Sequence, residues 1–473
     1  MLAGNAAAPA ESMTRRLRPF LLPAALVVVV VASVAGVVAD TASSPARSSP
    51  SPATPVLSAR RAPGLLTRPA ADAALLEDLA GLLNDAPAAT CLVVEMGERR
   101  LVEHETREPL IPASAMKLVV ATAVLTRIGP DETFITKVTG PPPVGGVVEG
   151  DLHLVGGGDP LLATSPYAES FTRQPQVFTS LEALADQIVA AGVERVEGRV
   201  VGDETRYDTV RYVRSWRPVY IEDHETGPMS ALTVNDGFSL FEPTKVPAPA
   251  PAVHAATVLA DQLEERGVEV TGPPASGPAP DGATLAEVSS PPVREIVGQL
   301  LRESDNQTGE MLVKELGWRY GGAGSTREGV AVVRDTIADL GLPSAGLEVI
   351  DGSGLDRANR LTCELLVAVL AGGGAAEAVT EGLAVVGESG TLRTRLRGTA
   401  AAGNVVAKTG SLNGVAALVG VATTADGGEA RFAFVMNGIG SLAEGSELAD
   451  RLMLSLSRYP LARPARPPVE ESA

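Results

Sequence analysis

Lysine and aromatic residues are scarce in this chain of 473 residues. Of its 39 basic residues only five are lysines, so a lysine inside a motif is more informative than it would be in an average protein. Aromatic residues make up 3% of the chain, and its core must therefore be built from Ala, Val and Leu. The formal net charge of −18, with a pI near 4.8, argues against nucleic-acid binding because phosphates would be repelled.

Cysteine and histidine are also rare. Cys91 and Cys363 both lie in apolar stretches, and we interpret them as two small buried hydrophobic residues. In an exported protein they can instead pair, and the sequence does not fix whether their Cα atoms come within disulfide range. The four histidines give only near-misses to the H-E-x-x-H zinc motif, so no metal and no cofactor is expected.

The N-terminus carries an uncharged run. Three arginines, at 15, 16 and 18, precede the run at 19–39, which is long enough to cross a bilayer as a helix. The arginines should stay on the cytoplasmic side, so the chain after Asp40 is expected on the extracytoplasmic face of the bacterial cell membrane or in the cell envelope. Residues 37–39 also resemble a signal-peptidase site, and 1–39 is therefore a membrane anchor or a cleaved signal peptide.

Three short motifs follow one another along the chain. They are Ser114-x-x-Lys117, then Ser304-Asp305-Asn306, then Lys408-Thr409-Gly410-Ser411, and this order is the signature of penicillin-interacting serine enzymes. Two of the five lysines fall inside it.

The first motif can activate a nucleophile. Pro112 and the apolar run after Lys117 predict that Ser114 lies at the start of a buried helix, where residues three apart share a face. Lys117 can then act as base towards the Ser114 hydroxyl, provided that burial and a positive charge such as Lys408 lower its pKa. Without the other two motifs, an S-x-x-K pattern would more often be an incidental serine–lysine pair on a surface helix.

The other two motifs supply a hydroxyl, an amide and a cation. Ser304 can relay a proton to the leaving amine and Asn306 can bind a carbonyl, although the segment also reads as a helix N-cap. Lys408 offers a fixed positive charge, and Gly410 permits close approach of a backbone. Lys408, Thr409, Gly410 and Ser411 are predicted on a strand that can pair with an extended peptide ending in a carboxylate.

The spacing of the motifs predicts the domain organisation. Lys117 and Ser304 are 187 positions apart, which implies a folded insertion between them. We predict a signal or anchor at 1–39, a disordered Pro/Ser/Ala linker at 40–64, a catalytic transpeptidase-like domain in two parts at 65–138 and 285–459, an insertion at 139–284 and a disordered tail at 460–473. Within the insertion, strands are predicted at 147–155 and 196–201. Two helix–strand stretches there share Leu-Ala-Asp-Gln, at 184–187 and 259–262, as a repeat or as a common helix ending. After the insertion, apolar residues at helical spacing predict helices at 292–302, 308–318 and 326–340.

With these motifs the chain resembles the class C low-molecular-mass penicillin-binding proteins, the D-alanyl-D-alanine carboxypeptidases and endopeptidases of the bacterial envelope. The likeness covers roughly residues 75–457 and includes segments 150–154, 158–160, 198–203, 230–232, 351–355, 390–393 and 407–412. It implies an α/β (α+β) fold of the penicillin-binding/serine β-lactamase type, an antiparallel sheet flanked by helices with an inserted α/β region between the first two motifs.

The resemblance also implies a role for each motif residue. Ser114 would be the acylated nucleophile, Lys117 its base, and Ser304 with Asn306 the second catalytic element. Lys408, Thr409 and Ser411 would bind the substrate's carboxylate, and the backbone N–H groups of Ser114 and Ser411 would form the oxyanion hole. Arg302 and Asp356 depart from the family pattern. Trp216, where the family builds part of a side-chain pocket, is interpreted as a packed core residue.

The function implied is hydrolysis of the terminal D-Ala-D-Ala bond of peptidoglycan stem peptides through an acyl-enzyme, with acylation by penicillins and other β-lactams. Endopeptidase cleavage or transpeptidation would use the same residues. A serine β-lactamase is the nearest enzymatic alternative, but the E-x-x-L-N pattern that would supply its deacylating base is absent between Asn306 and Lys408. A non-catalytic envelope scaffold or penicillin sensor is the alternative outside the enzymes.

Overall fold

The computed structural model describes residues 63–460. The predictions for 1–39, for nearly all of 40–64 and for the tail after Pro460 therefore lie outside the described residues. Within the described part, no helix is both long enough and apolar enough to cross a membrane.

Strands and helices alternate along the described chain. The strands are β1 Ala89–Met96, β2 Arg99–His104, β3 Ile135–Gly140, β4 Val147–Val148, β5 Leu152–Val155, β6 Leu162–Ala163, β7 Thr179–Ser180, β8 Arg195–Val196, β9 Val200–Asp203, β10 Phe238–Leu240, β11 Val246–Pro247, β12 Glu269–Val270, β13 Ala275–Ser276, β14 Ala283–Ser289, β15 Ala384–Val385, β16 Val405–Leu412, β17 Val415–Thr423 and β18 Glu429–Asn437. The α-helices are α1 Pro63–Asp85, α2 Met116–Arg127, α3 Ser165–Ser170, α4 Glu182–Ala190, α5 Pro218–Glu222, α6 Pro251–Glu265, α7 Val293–Glu303, α8 Asn306–Leu316, α9 Thr326–Asp339, α10 Cys363–Ala368, α11 Gly374–Glu381 and α12 Leu442–Arg458.

A six-stranded antiparallel sheet in the order β15-β16-β17-β18-β1-β2 packs against helices on both of its faces. Alternate residues of its strands face opposite layers, as the two-residue period of a strand requires. Val93 and Val419 pack into a core with the helices around α2, whereas Leu92 and Leu418 pack into a second core with α1 and α12. The predicted antiparallel sheet flanked by helices is confirmed.

A second, five-stranded sheet lies between the first two motifs in sequence. Its order is β13-β9-β5-β3-β14, and its edge strand β14 pairs with β3 so that Ile135 lies opposite Ser289. Helices α4 and α6 share a separate apolar core with it. Because β3 and β14 are neighbours, the chain enters and leaves this sheet at the same place.

The two helix–strand stretches noted in the sequence lie side by side. Helix α4 is followed by β8 and helix α6 by β12, and these two strands pair in parallel, Arg195 opposite Glu269. The next strands of each stretch, β9 and β13, also pair in parallel, Val201 opposite Ala275. In both strand pairs the paired residues are 74 positions apart in sequence, so the spacing between the two strands is the same in each stretch.

Most predicted elements near the motifs are confirmed, and two in the insertion are wrong. The single strand predicted at 147–155 is two short strands in different sheets, because Gly150 has φ +129° and turns the chain. The strand predicted at 196–201 is likewise interrupted at Gly198, which has no room for a side chain against the Gly150 backbone.

The two cysteines are buried, as expected, and of the two possibilities that the sequence left open they are paired. Cys91 in β1 and Cys363 at the start of α10 form a disulfide that closes a loop of 272 residues. Both are completely buried in the core beside α2. The bond ties the central sheet to the helix that covers it, and their separation in sequence is the reason that no local pattern revealed the pairing.

Candidate active site

Ser114 lies where the chain enters α2. A single 3₁₀ turn, Ala113–Ala115, precedes the helix, and Ser114 is half-buried between buried neighbours. Ala113 has φ +49°, a left-handed conformation that a non-glycine residue adopts at an energetic cost and that recurs at functional sites. Gly354 packs so closely here that a Cβ would come within 2.0 Å of the Ala113 carbonyl oxygen. The predicted position of Ser114, at the beginning of a buried helix, is confirmed.

Lys117 lies one turn further along α2 and is completely buried. Its Nζ donates to Ser114 Oγ at 3.1 Å, to Asn306 Oδ1 at 2.7 Å and to the carbonyl oxygen of Ser353 at 2.6 Å. Three acceptors around one ammonium or amine nitrogen fix its position. The lysine is therefore held within hydrogen-bond distance of the serine that it was predicted to activate.

Burial lowers the pKa of Lys117 to about 8 because the charged form loses its hydration. The negative charges of Asp305, Asp351, Glu310 and Glu225 act in the opposite direction and limit this shift. At pH 7, one unit below this pKa, about a tenth of the side chain is therefore an uncharged amine, the form that can accept a proton from a hydroxyl.

Ser304-Asp305-Asn306 links α7 to α8. Ser304 ends α7 in a left-handed conformation, φ +63°, and the Asp305 carboxylate accepts the N–H of Thr308, so the predicted N-cap is confirmed with Asp305 as the capping residue. Asn306 begins α8 with its amide oxygen on Lys117. Its Nδ2 donates to both the carbonyl oxygen and a carboxylate oxygen of Glu225, at 3.0 and 3.1 Å.

Lys408 lies on β16 and is completely buried. Its Nζ donates to Ser304 Oγ and to the carbonyl oxygen of Thr409, both at 2.8 Å. Burial and, second, the charge of Lys117 lower the pKa of Lys408 well below its usual range. These surroundings oppose the fixed positive charge predicted at this position. The lysine is placed to hold the Ser304 hydroxyl, while Thr409, Gly410 and Ser411 face the open space beside it.

A cavity of about 440 Å³ opens above these groups. It is bounded by residues of all three motifs, namely Ser114, Ser304, Asn306, Thr409, Gly410 and Ser411, and also by Glu225, Leu355, Thr391 and Arg395. Strand β15 pairs only with Val406 and Ala407, so on that side β16 has no partner strand among the described residues from Lys408 onward. An extended peptide can add to this edge by main-chain hydrogen bonds.

The sequence interpretation missed two groups that position Lys117. Ser353 contributes its carbonyl oxygen, and Glu310 holds that segment through Oε1, which accepts the N–H groups of Gly352 and Ser353 at 2.9 and 2.7 Å. Burial and the nearby Asp351 raise the pKa of Glu310 to about 8. The segment 351–355 was noted only as part of the family resemblance, and Glu310 carried no motif signal.

The residues singled out as departures or as core are also placed. Trp216 is buried, as predicted, and its Nε1 donates to the Asp351 carboxylate at 2.8 Å. Asp356 donates its backbone N–H to the same carboxylate, and its own side chain accepts from Ser215. The Nε of Arg302 lies 3.9 Å from the Oε1 of Glu303, and the Arg302 carbonyl oxygen packs against Gly390. None of these three lines the cavity beside Ser114.

Comparison with known proteins agrees with this arrangement. The D-Ala-D-Ala carboxypeptidase 3 (S13) family matches residues 73–249 and 242–458. A D-alanyl-D-alanine carboxypeptidase of an Actinomadura species is 32% identical over 447 residues, which cover 77% of this chain and 80% of that protein. Carboxypeptidase DacB of Mycolicibacterium smegmatis is 32% identical over 352 residues, covering 72% of this chain and 74% of the relative.

Solved structures show the same fold. Penicillin-binding protein 4 (dacB) of Haemophilus influenzae superposes with a TM-score of 0.67 at 19% identity, covering 80% of this chain and 99% of its own. A predatory peptidoglycan endopeptidase of Bdellovibrio bacteriovorus gives a TM-score of 0.51 at 18% identity, covering 76% and 90%. At these identities the likeness concerns the fold, and it confirms the predicted architecture.

Proposed function

Since the chain belongs to the D-Ala-D-Ala carboxypeptidase 3 (S13) family, we propose that it hydrolyses the terminal D-Ala-D-Ala bond of peptidoglycan stem peptides through an ester on Ser114. The protein is a serine-type D-Ala-D-Ala carboxypeptidase, and cleavage of peptide cross-links is a related activity open to the same site. The observation that supports the residue roles best is the Lys117 Nζ lying 3.1 Å from Ser114 Oγ in a buried environment.

Acylation begins with proton transfer from the Ser114 hydroxyl to the uncharged amine of Lys117. The serine oxygen attacks the carbonyl carbon of the scissile bond, and backbone N–H groups of Ser114 and Ser411 stabilise the negative charge on the carbonyl oxygen. The C–N bond then breaks, and the leaving D-alanine amine takes a proton from the Ser304 hydroxyl. Ser304 recovers a proton from the protonated Lys117, so both side chains return to their starting forms. The hydrogen bond that Lys408 donates to the Ser304 oxygen supports this role.

Deacylation returns the enzyme to its starting state. The uncharged amine of Lys117 takes a proton from a water molecule, whose oxygen attacks the ester carbon. The bond between that carbon and the Ser114 oxygen breaks, the serine oxygen receives the proton from Lys117, and the shortened peptide is released. A penicillin follows the first half of this sequence: its β-lactam C–N bond opens, the acyl group stays attached to Ser114, and the second half is slow. Thr409 and Ser411 are the groups proposed to hold the substrate carboxylate within the cavity.

Mass spectrometry after incubation with benzylpenicillin tests the acyl-enzyme. We expect one penicilloyl adduct on the peptide that contains Ser114, and release of D-alanine from an acetylated peptide ending in D-Ala-D-Ala. Ser114→Ala should lose both, whereas Ser239→Ala, a change at an exposed serine outside the cavity, should lose neither. A label that persists on Ser114→Ala would contradict the assignment.

The same experiment separates the alternatives. Rapid turnover of penicillin without a lasting adduct would identify a β-lactamase. A stable adduct, with neither release of D-alanine from a peptide ending in D-Ala-D-Ala nor cleavage of cross-linked muropeptides, would identify a penicillin-binding scaffold or sensor.

We also propose that the protein is exported. The uncharged run at 19–39 after three arginines supports this location, and so does the disulfide, since such bonds persist mainly in oxidising compartments. Cell fractionation tests it: intact protein in the cytosolic fraction would contradict export. N-terminal sequencing of the envelope form would distinguish a cleaved signal peptide from a retained anchor, and limited proteolysis would locate the proposed boundaries of the 139–284 insertion.

A further inference from the structure

The cavity beside Ser114 has one basic side chain in its wall. Among the described residues that bound it, Arg395 is the only lysine, arginine or histidine. Lys408 does not line the cavity: it is completely buried, and its Nζ donates to Ser304 Oγ and to the carbonyl oxygen of Thr409. A peptide that ends in a carboxylate brings a negative charge into this cavity, and the lysine that was predicted to meet that charge is engaged elsewhere.

Arg395 lies on the face of the six-stranded sheet to which Thr409 and Ser411 are directed. Ala407 packs into the core that contains α12, and because side chains alternate along a strand, the residues two and four positions further along β16 point to the same face. Thr409 Oγ1 donates to Thr391 Oγ1 at 3.0 Å. Arg395 follows Thr391 by four residues and is bonded to α12, so its side chain lies near the two hydroxyls that are proposed to hold the substrate carboxylate.

The guanidinium of Arg395 is anchored on one side and free on the other. Its Nε donates to the Asp450 carboxylate at 3.0 Å, and its Nη2 donates to the same carboxylate and to the carbonyl oxygen of Ser446 at 2.7 Å. Its Nη1 donates to no described residue and is not one of the buried polar atoms that lack a partner, so it is open to solvent. Two N–H groups on an oriented, charged plane suit a carboxylate.

A second cavity, of about 350 Å³, adjoins the first and suits an anion less well. It shares Glu225, Ser304 and Asn306 with the cavity beside Ser114 and contains no residue of β16. Its one lysine and one arginine are outnumbered by four carboxyl groups, which belong to Glu225, Asp236, Glu303 and Asp305. The wall of the first cavity carries a single carboxyl group and a single arginine. Of the two cavities, the first is therefore the better suited to a carboxylate.

We infer that Arg395 supplies the positive charge that binds the carboxylate of the leaving D-alanine, beside the hydroxyls of Thr409 and Ser411. This inference rests on the proposed peptidase function and names the cation of that same site, a role that the motif pattern gives to Lys408. The two basic side chains then have separate tasks, since Lys408 holds the Ser304 hydroxyl and Arg395 holds the substrate.

Two peptides that differ only at the C-terminus test this role. One is diacetyl-L-lysyl-D-alanyl-D-alanine with its free carboxylate, and the other is the same peptide with a C-terminal amide. The wild type should prefer the carboxylate peptide by roughly 10- to 100-fold in kcat/KM, the range expected for hydrogen bonds to a charged group. Arg395→Gln should remove most of this preference, mainly by raising KM for the carboxylate peptide, while kcat/KM for the amide peptide changes little.

Arg395→Lys and Arg397→Gln are the matched controls. Lysine keeps the positive charge without the planar pair of N–H groups, so it should restore part of the preference that glutamine loses. Arg397 is exposed, does not line the cavity and donates only to the Arg393 carbonyl, and Arg397→Gln should keep the preference of the wild type. A purely structural role of Arg395, through its ion pair with Asp450, would lower the rates for both peptides equally.

The ratio between the two peptides decides the question within each protein, whatever fraction of a variant is folded. A preference that Arg395→Gln leaves intact, or an equal loss on both peptides, overturns the inference. Affinities of the two peptides for Ser114→Ala, with and without Arg395→Gln, measure the same preference without turnover. If neither peptide releases its terminal residue but the binding preference is present and depends on Arg395, the proposed reaction fails and the carboxylate site stands.

Discussion

Lys408 Nζ donates to Ser304 Oγ over 2.8 Å, a contact that joins the third motif directly to the second across 104 residues of chain. Lys117 makes the equivalent contact with Ser114, so the site contains two lysine–serine pairs rather than one. Both lysines are completely buried, and burial lowers the pKa of each. The second pair is thus arranged to move a proton on the leaving-group side, as the first pair is on the nucleophile side.

Lys408→Met should lower kcat for D-alanine release by roughly 10²-fold, since the Ser304 hydroxyl would lose its anchor and the proton relay its geometry. Rates of D-alanine release give the measurement. Lys137→Met, on β3 and outside both cavities, is the matched control and should leave kcat near that of the wild type. Equal rates for the two variants would contradict the relay.

The pH dependence of acylation should report Lys117. Its pKa is lowered to about 8, and only the uncharged amine can act as base, so the acylation rate should rise about tenfold per pH unit below 8 and level off above it. Stopped-flow acylation by a fluorescent penicillin between pH 6 and 9.5 measures this profile. A flat profile would show that another group takes the proton.

Glu310 should affect both the site and the pH dependence of stability. Glu310→Gln keeps an oxygen for the Gly352 and Ser353 N–H groups and should retain activity, whereas Glu310→Ala should misplace the Ser353 carbonyl that holds Lys117 and reduce acylation strongly.

The sign of the stability effect follows from the raised pKa of Glu310, about 8 against an ordinary 4.5. The folded protein keeps this proton over a range in which the unfolded chain has lost it, so the stabilisation present below pH 4.5 is lost as pH rises to about 8. Relative to Glu310→Gln, the wild type should lose roughly 3 kcal/mol of unfolding free energy between pH 5 and 8. Denaturant titrations at both pH values check this, and parallel curves would contradict it.

Removal of the Cys91–Cys363 disulfide should destabilise the fold with little effect on the chemistry. The bond closes a loop of 272 residues, for which chain entropy gives on the order of 5 kcal/mol, and engineered removals usually cost about 2–5 kcal/mol. Urea unfolding of the double variant Cys91→Ala/Cys363→Ala gives the value. Because both cysteines are completely buried, the disulfide of the native wild type should resist reduction when reductant is added without urea.

Gly354→Ala should disturb the Ser114 turn. The added Cβ would lie 2.0 Å from the Ala113 carbonyl oxygen, and the backbone there has φ +88°, so we expect a loss of at least about 2 kcal/mol of stability together with slower acylation. Gly373→Ala is the control, since nothing lies within 4 Å of its Cβ position and its φ is negative. Thermal melts and acylation rates of the two variants should differ clearly.

The chemistry of the site was predictable wherever side-chain type and spacing determined it. Three positions on a helix bring Lys117 beside Ser114, and the order of the motifs predicted that distant stretches meet. The contribution of Ser353 was invisible because it is a backbone carbonyl, which every residue possesses. Glu225 was missed because one acid in a long insertion has no pattern of its own.

The fold was predictable where periodicity was long and uninterrupted. Helices α7, α8 and α9 lie within about two residues of their predicted bounds. The insertion was harder, since its strands are two to seven residues long and glycines such as Gly150 redirect the chain between sheets. Contacts far apart in sequence, above all the pairing of Cys91 with Cys363, depend on the tertiary fold and leave no local trace.

Ile135 lies opposite Ser289 in the antiparallel pair of β3 and β14. The chain therefore enters and leaves the unit formed by residues 135–289 at neighbouring points. None of the strands between these two residues belongs to the six-stranded sheet, so a change of length within the unit need not shift the register of that sheet. The same unit nevertheless sends Glu225 to Asn306 and Trp216 to Asp351. A change within this unit can therefore alter the wall of the cavity at Glu225 while both lysine–serine pairs, which lie outside the unit, keep their positions.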